Sequence, residues 1–358
     1  MSDQSLTDHS VPGERYTHRG LDYPLGQWAP PADRPHEVAP GVRWLRMPLP
    51  FSLDHINLWL LDDRDENGPG TAIVDTGLNA PVCRDVWQAI LPGLHITRVI
   101  VTHFHPDHVG LAGWLCEKTG APLDMARTEY LYARNLQLDA RETPPAEAIA
   151  LALDAGWPAA AIAKLQAQKW RMFASATAPL PGRYHRLCDG DQLSIGGRNW
   201  RIVVGRGHAP EHVCLVDEAG QVMIAGDQVL PRISSNVSLP LMEPMADPLG
   251  DWLDSIEQFR ALPEDLLVLP SHGHPFHGLH ERLAQLAQGH AERLDALHTF
   301  CATPKTAYEC FPVLFSRAVD DSMISLATGE ALAHLRRLEV QGLMRRERYG
   351  TALWFTAV

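Results

Sequence analysis

The chain reads as an α/β protein with a helical insert and a small C-terminal winged-helix domain, and three observations carry that reading. From about residue 40, short apolar runs closed by turn residues alternate with stretches of helical spacing. Between Leu123 and about Ala178 the strand signals stop, and beyond that they resume up to about residue 280. The last segment, 281–358, is mostly helical and closes with two extended stretches around Tyr349 and Gly350.

Residues 1–40 are polar and rich in proline (Pro24, Pro30, Pro31, Pro35, Pro40), which predicts an irregular arm held down by Tyr23 and Trp28. In the segment 41–280, "GVRWLRMPLP", "INLWLL", "GTAIVDTG" and "ITRVIVTHFH" have the texture of buried strands, while "APVCRDVWQAIL" and "HVGLAGWLCEKTG" have that of helices. The insert, about 123–178, is rich in Ala and Leu and predicts two or three helices starting at Pro145 and Pro158. "DQLSIGGRNWRIVVGRGH", "EHVCLVDEAGQVMIAGDQ" and "DLLVLPSHGH" return to strands, with a hairpin turn at "DEAG". Three helices and a hairpin in the last segment describe the winged helix, a small separate domain.

Composition excludes several function classes. Lysine and arginine number 31 against 43 acidic residues, a formal charge of −12, so no global field attracts a phosphate backbone and nucleic acid is disfavoured as a partner. The six cysteines are scattered without a CxxC pair, which suits reduced thiols in a cytosolic protein. The first residues lack a basic start and an apolar stretch, and no run of about 18 apolar residues occurs, so the expectation is a cytoplasmic protein with no membrane partner.

The stretch "VTHFHPDHVG" (Val101 to Gly110) carries the chemistry, with three histidines and an aspartate within six residues after a strand. In extended backbone, side chains two apart point the same way, so His103 and His105 can close on one ion. Pro106 then fixes a turn and aims Asp107 and His108 elsewhere, toward a second ion. Such a string arises by accident on the order of a few times in a thousand histidine-rich chains. Two ions need further ligands, and three recur downstream, each just past an apolar strand: His208, Asp227 and His272.

Thr102 to His108, His208, Asp227 and His272 resemble the ligand motifs of the metallo-β-lactamase fold hydrolases, and "IVDTGL" matches the Asp-x-Gly turn of that family. The resemblance covers roughly residues 40–280 and is nearest to the hydroxyacylglutathione hydrolase and lactamase-beta-like branch, which has Asp where secreted antibiotic-hydrolysing enzymes have Cys. It implies a four-layer αββα sandwich with two metals at one edge. It further implies that His103, His105 and His208 hold the first metal, that Asp107, His108 and His272 hold the second, and that Asp227 bridges them. His212, His274, His277 and Asp75 are expected to support or border the ligands rather than ligate, and His9, His18 and His298 carry no functional expectation.

A donor set of imidazoles and carboxylates suits two divalent ions, zinc first, with manganese and iron also fitting. Water between two dications loses a proton near neutral pH, its pKa falling from about 15.7 toward about 7. That hydroxide, oriented by Asp107, is expected to attack a small acyl substrate: a thioester, ester or lactone. Arg232 and Asn236, close behind Asp227, are candidates to meet a substrate carboxylate or carbonyl. Competing readings are a ribonuclease or phosphodiesterase of the same fold, a mononuclear-iron persulfide dioxygenase, and a DNA-binding regulator. Against the nucleic-acid readings, 281–358 holds nine basic and nine acidic residues, so Arg336, Arg337, Arg345, Arg346 and Arg348 read as a solvated face or a homodimer contact.

Overall fold

A computed structural model describes residues 13–51 and 53–358; the start of the expected arm, residues 1–12 with His9, lies outside the described residues. The rest of the arm is more regular than its prolines suggest. β1 (Tyr16–His18) and β2 (Leu21–Tyr23) form a hairpin, and β3 (His36–Ala39) joins the edge of the first large sheet. The anchoring role of the aromatics holds. Tyr23 is buried and stacks on Tyr16, and Trp28 packs edge-on against Trp44.

The first sheet has seven strands in sequential order: β3, β4 (Val42–Pro48), β5 (His55–Asp65), β6 (Gly68–Val74), β7 (Ile96–Val101), β8 (Leu123–Ala126) and β9 (His185–Leu187). β3 to β6 pair antiparallel, while β6 to β9 run parallel. The parallel strands are reached through α1 (Pro81–Ile90), α2 (Pro106–Val109) and α3 (Ala112–Thr119), as parallel crossovers require. β8 corrects the boundary of the insert. Residues 123–126 are a fully buried strand, and "LDMA" is too short beside a long helical tract for its period to show. The insert proper is four helices: α4 (Arg127–Leu138), α5 (Ala146–Asp154), α6 (Ala159–Ala167) and α7 (Met172–Ala176). Pro145 and Pro158 sit at the N-caps of α5 and α6, as the sequence suggests.

The second sheet has five strands, β10 (Gln192–Ile195), β11 (Arg198–Gly205), β12 (His212–Asp217), β13 (Val222–Gly226) and β14 (Leu267–Pro270), antiparallel except for the last pair. Trp44, Trp59, Val74 and Ile100 from the first sheet meet Trp200, Ile202, Leu215 and Ile224 from the second in one apolar layer. The first sheet's other face packs Leu58, Ile73, Val99 and Val101 against Trp87 of α1 and Leu115 of α3. The second sheet's outer face is covered by α8 (Pro248–Phe259) and α9 (Leu279–Phe300). The result is helix, sheet, sheet, helix, the expected four layers. Each large apolar side chain so enclosed stabilises by roughly 1.5–3 kcal/mol.

α9 begins before residue 281 and is followed by α10 (Phe311–Leu314), α11 (Ile324–Val340) and the hairpin of β15 (Met344–Tyr349) and β16 (Ala352–Ala357). The apolar side chains of these elements continue into the cluster behind the second sheet. Leu297, Ala331, Leu335 and Phe355 belong to the same apolar cluster as Val216, Met223 and Trp252 of the sheet and α8. α9 thus joins these elements to the second sheet by shared packing.

Candidate metal centre

Four chain segments reach one edge of the sandwich from strand ends. β7 is almost entirely buried and stops at Val101, so Thr102 and His103 leave the sheet at a fixed point. Pro106 opens α2, turning Asp107 and His108 away from His103 and His105. His208 follows β11, Asp227 follows β13 and His272 follows β14. Gly226 has φ +53° and packs under a ring: a Cβ there would lie 2.4 Å from His212 Cε1, so only glycine lets β13 end where it does.

The seven expected ligands converge in two groups, and in each the donor atoms lie within 4.8 Å of one another: His103, His105, His208 and Asp227 in one; Asp107, His108 and His272 in the other. Asp227 faces both. Its Oδ2 is 3.3 Å from His208 Nε2, and its Oδ1 is 3.6 Å from His108 Nε2 and 3.5 Å from His272 Nε2. Asp107 Oδ2 lies 3.4 Å from His272 Nε2 and 3.7 Å from His108 Nε2.

Hydrogen bonds to the opposite ring nitrogens settle which atoms point inward. His208 Nδ1 donates to the Asn236 carbonyl (2.7 Å), His272 Nδ1 to the His55 carbonyl (2.8 Å) and His108 Nδ1 to Asp75 Oδ2 (2.8 Å). His103 Nδ1 is 3.0 Å from Thr102 Oγ1, which itself reaches the Asp75 carboxylate. Each Nε2 is therefore left with a lone pair. His208 Nε2 and His103 Nε2 then face each other at 3.2 Å, His105 Nδ1 lies 2.9 Å from His103 Nε2, and His108 Nε2 and Asp227 Oδ1 are buried with no hydrogen-bond partner. Converging lone pairs without donors are what divalent cations satisfy, so the residues fit a metal pair. The two groups differ in their electrostatics. Burial together with the surrounding imidazoles holds His103 well below the usual range. Burial alone would also lower His108, yet Asp107, Asp75 and Asp227 hold it well above that range.

The supporting residues act through short bonds. Asp75, in the left-handed region at φ +62°, accepts from Thr102 N (2.8 Å) and from His108. His212 does not ligate: its Nε2 accepts the Asp227 backbone N–H at 3.0 Å, and its ring stacks on His103. His274 and His277 turn to the carbonyls of Gln27 and Asp265. Arg232 is exposed, reaches Tyr16 Oη and lies over the Tyr23 ring at 5.6 Å. Asn236 gives its side chain to Glu330 and Ser238 and its carbonyl to His208.

Two supports escape the sequence reading. Glu129, fully buried in the first turn of α4, accepts Phe104 N (2.9 Å) and Glu211 N (2.6 Å), tying together the two loops that bear His103, His105 and His208. Burial pushes its carboxyl up to about 7. The signal exists: an acidic residue at a helix start just after a strand, hidden only because β8 reads as part of the helical insert. Asn57 on β5 donates to the carbonyls of Pro270 and Gly273, at 2.8 Å each, fixing the turn of His272. A lone Asn within a strand-like run gives no such warning.

Comparison with known proteins agrees with this geometry. The Metallo-beta-lactamase superfamily profile matches residues 52–272, and the profile of a Metallo-beta-lactamase-like C-terminal domain matches residues 294–357. A Beta-lactamase domain protein from Burkholderia ambifaria superposes with a TM-score of 0.87 at 42% identity, covering 94% of this chain and 98% of its own. A probable metallo-hydrolase of Bacillus subtilis is 23% identical over 87% of this chain and 96% of its own length. A hydroxyacylglutathione hydrolase of Pseudomonas entomophila is 28% identical over 60% of this chain and 76% of its own. The chain belongs to the metallo-β-lactamase superfamily and is a hydrolase of it. Like its relatives it carries His and Asp groups suited to divalent metals, and among the described residues no helix is long and apolar enough to cross a membrane.

Proposed function

We propose that the protein hydrolyses a small acyl substrate, a thioester, ester or lactone, with two divalent ions, zinc by preference, held by the two ligand groups. The observation that carries this reading is Asp227, whose two oxygens face different groups. Ions bound there supply Lewis acidity and lower the pKa of a water molecule toward neutrality. Asp107, beside His108 and His272 at the mouth of the second group, orients that water, and the Asp75–Thr102 pair keeps His103 and His108 in register. Phe104 stacks edge-on with His105 (4.5 Å between centroids) and packs with Tyr132 (4.6 Å), an apolar wall suited to an acyl group.

Relatives named as a hydroxyacylglutathione hydrolase and as an acyl-carrier thioesterase of Cryptosporiopsis support acyl chemistry. Phosphate recognition is disfavoured: the five arginines of the last segment are paired with carboxylates, Arg336 and Arg346 with Glu339, Arg337 with Asp247, Arg345 with Glu347 and Arg348 with Asp154. The test is metal analysis of the purified protein followed by turnover of thioesters, esters, lactones, phosphodiesters and RNA. Two zinc ions with thioester or ester cleavage support the reading; one iron with oxygen uptake, or cleavage of RNA alone, refutes it.

A further inference from the structure

The segment after Asp227 crosses to the far end of the chain. Ser235 Oγ donates to the Asp227 carbonyl, and Asn236 O accepts His208 Nδ1, so residues 227–236 set the position of one ligand and the aim of another. Val229 and Val237 of this segment pack in the apolar cluster behind the second sheet. The loop is gripped by two helices beyond residue 279. From α9, Arg282 donates Nε to the Leu230 carbonyl (2.5 Å) and Nη2 to the Ile233 carbonyl (2.8 Å). From α11, Glu330 Oε2 accepts Asn236 Nδ2 (2.9 Å), and the Gly329 carbonyl accepts Leu239 N (2.9 Å). Gly329 also permits the approach itself: a Cβ there would stand 2.7 Å from Ser238 Oγ.

Arg282 is buried and, among the described residues, forms no ion pair; a guanidinium enclosed this way is costly unless its donors are used, and here they go to loop carbonyls. Helix α11 is itself braced by Trp157 from the insert, whose Nε1 donates to Thr328 Oγ1 at 2.8 Å.

We propose that Glu330 and Arg282 are positioning residues for the metal centre, acting through the 230–239 loop to place the carbonyl that orients His208. The C-terminal helices thereby set the affinity of the His103–His105–His208 half. This rests on the metal-centre reading above. The contact is indirect, since neither side chain reaches a ligand, and because Asn236 aims His208 alone, a defect at Glu330 shows at one ion rather than at both.

The test is cobalt(II) titration of the metal-stripped full chain, followed by absorption spectroscopy, for wild type, Glu330→Ala, Glu330→Gln and Asn236→Ala. Thermal unfolding of each metal-free protein reports folding independently. Wild type should bind two ions. Glu330→Ala and Asn236→Ala should each weaken one of the two by about 10- to 100-fold, the range for groups that orient a ligand. Glu330→Gln, which keeps an oxygen for Asn236 Nδ2, should restore binding. A Glu330→Ala/Asn236→Ala double variant should lose no more than Asn236→Ala alone, since that change already removes the Glu330 contact. Unchanged binding in Glu330→Ala, equal loss of both ions, or failure of Gln to rescue overturns the proposal while leaving the metal reading intact. A wild-type protein that binds no divalent ion overturns both.

Discussion

Asp75→Asn isolates the part of the centre that touches no metal. The substitution keeps size and the left-handed backbone, which Asn tolerates as Asp does. It removes acceptor capacity. Asp75 receives Thr102 N at 2.8 Å on Oδ1 and His108 Nδ1 at 2.8 Å on Oδ2, with Thr102 Oγ1 between them at 3.0 and 2.9 Å. An amide has one oxygen, so whichever way it turns, its NH2 faces either the Thr102 N–H or the His108 N–H. A buried donor left facing another donor costs about 1–3 kcal/mol. Relieving the clash by switching the His108 tautomer puts a proton on Nε2, the atom that must ligate. Either outcome predicts a 10- to 100-fold loss of metal affinity at the His108 half, about 1.4–2.7 kcal/mol at 1.36 kcal/mol per tenfold. Competition with a chromophoric chelator measures it, with metal-free unfolding as a control. If the Asp75→Asn variant binds both ions as tightly as wild type, the assignment of His108 as a ligand oriented by Asp75 is refuted.

Replacing Asp227 with Ala should reduce bound metal to one ion or fewer per chain and cut turnover by at least about 100-fold; elemental analysis and rate assays check this, and full activity in a metal-poor variant counts against the centre. Glu129→Gln leaves one of two backbone N–H groups facing an amide NH2, so urea unfolding should show a loss of about 1–3 kcal/mol, with a slack His103–His105 loop seen as weaker metal binding. The buried pair His290 and His334, 3.1 Å apart, is pulled down to about 3 and about 4, chiefly by burial. The unfolded chain takes up protons near pH 6.5 and the folded one does not, so their contribution is full above about 6.5 and falls as the pH drops toward the folded values, by about 2 kcal/mol each at pH 5. His290→Gln should make the stability profile of the metal-free protein shallower between pH 6.5 and 5 by one proton, and an unaltered slope contradicts the burial argument.

The residues that converge were legible because the chemistry names residue types: imidazoles and carboxylates just past apolar strands. The four layers followed from strand-helix alternation together with the family resemblance. What stayed hidden works through atoms every residue possesses. The carbonyls of Asn236 and His55 orient His208 and His272, and no side-chain pattern reveals a carbonyl. β8 escapes because four buried residues carry no period, and Glu129 escapes with it. The C-terminal segment reads as a domain because its helices and hairpin are locally complete; that its apolar cluster continues into the second sheet is a matter of packing, not of periodicity.

The shared cluster of the second sheet and the terminal helices bears on the order in which a nascent chain can mature. Every candidate ligand, His272 included, has left the ribosome before α9 begins at Leu279, yet the outer face of the second sheet is covered only by α8 until α9 and α11 arrive. Truncation near 280 therefore leaves the part of that face which α9 and α11 cover as an exposed oily patch, prone to stick to its neighbours.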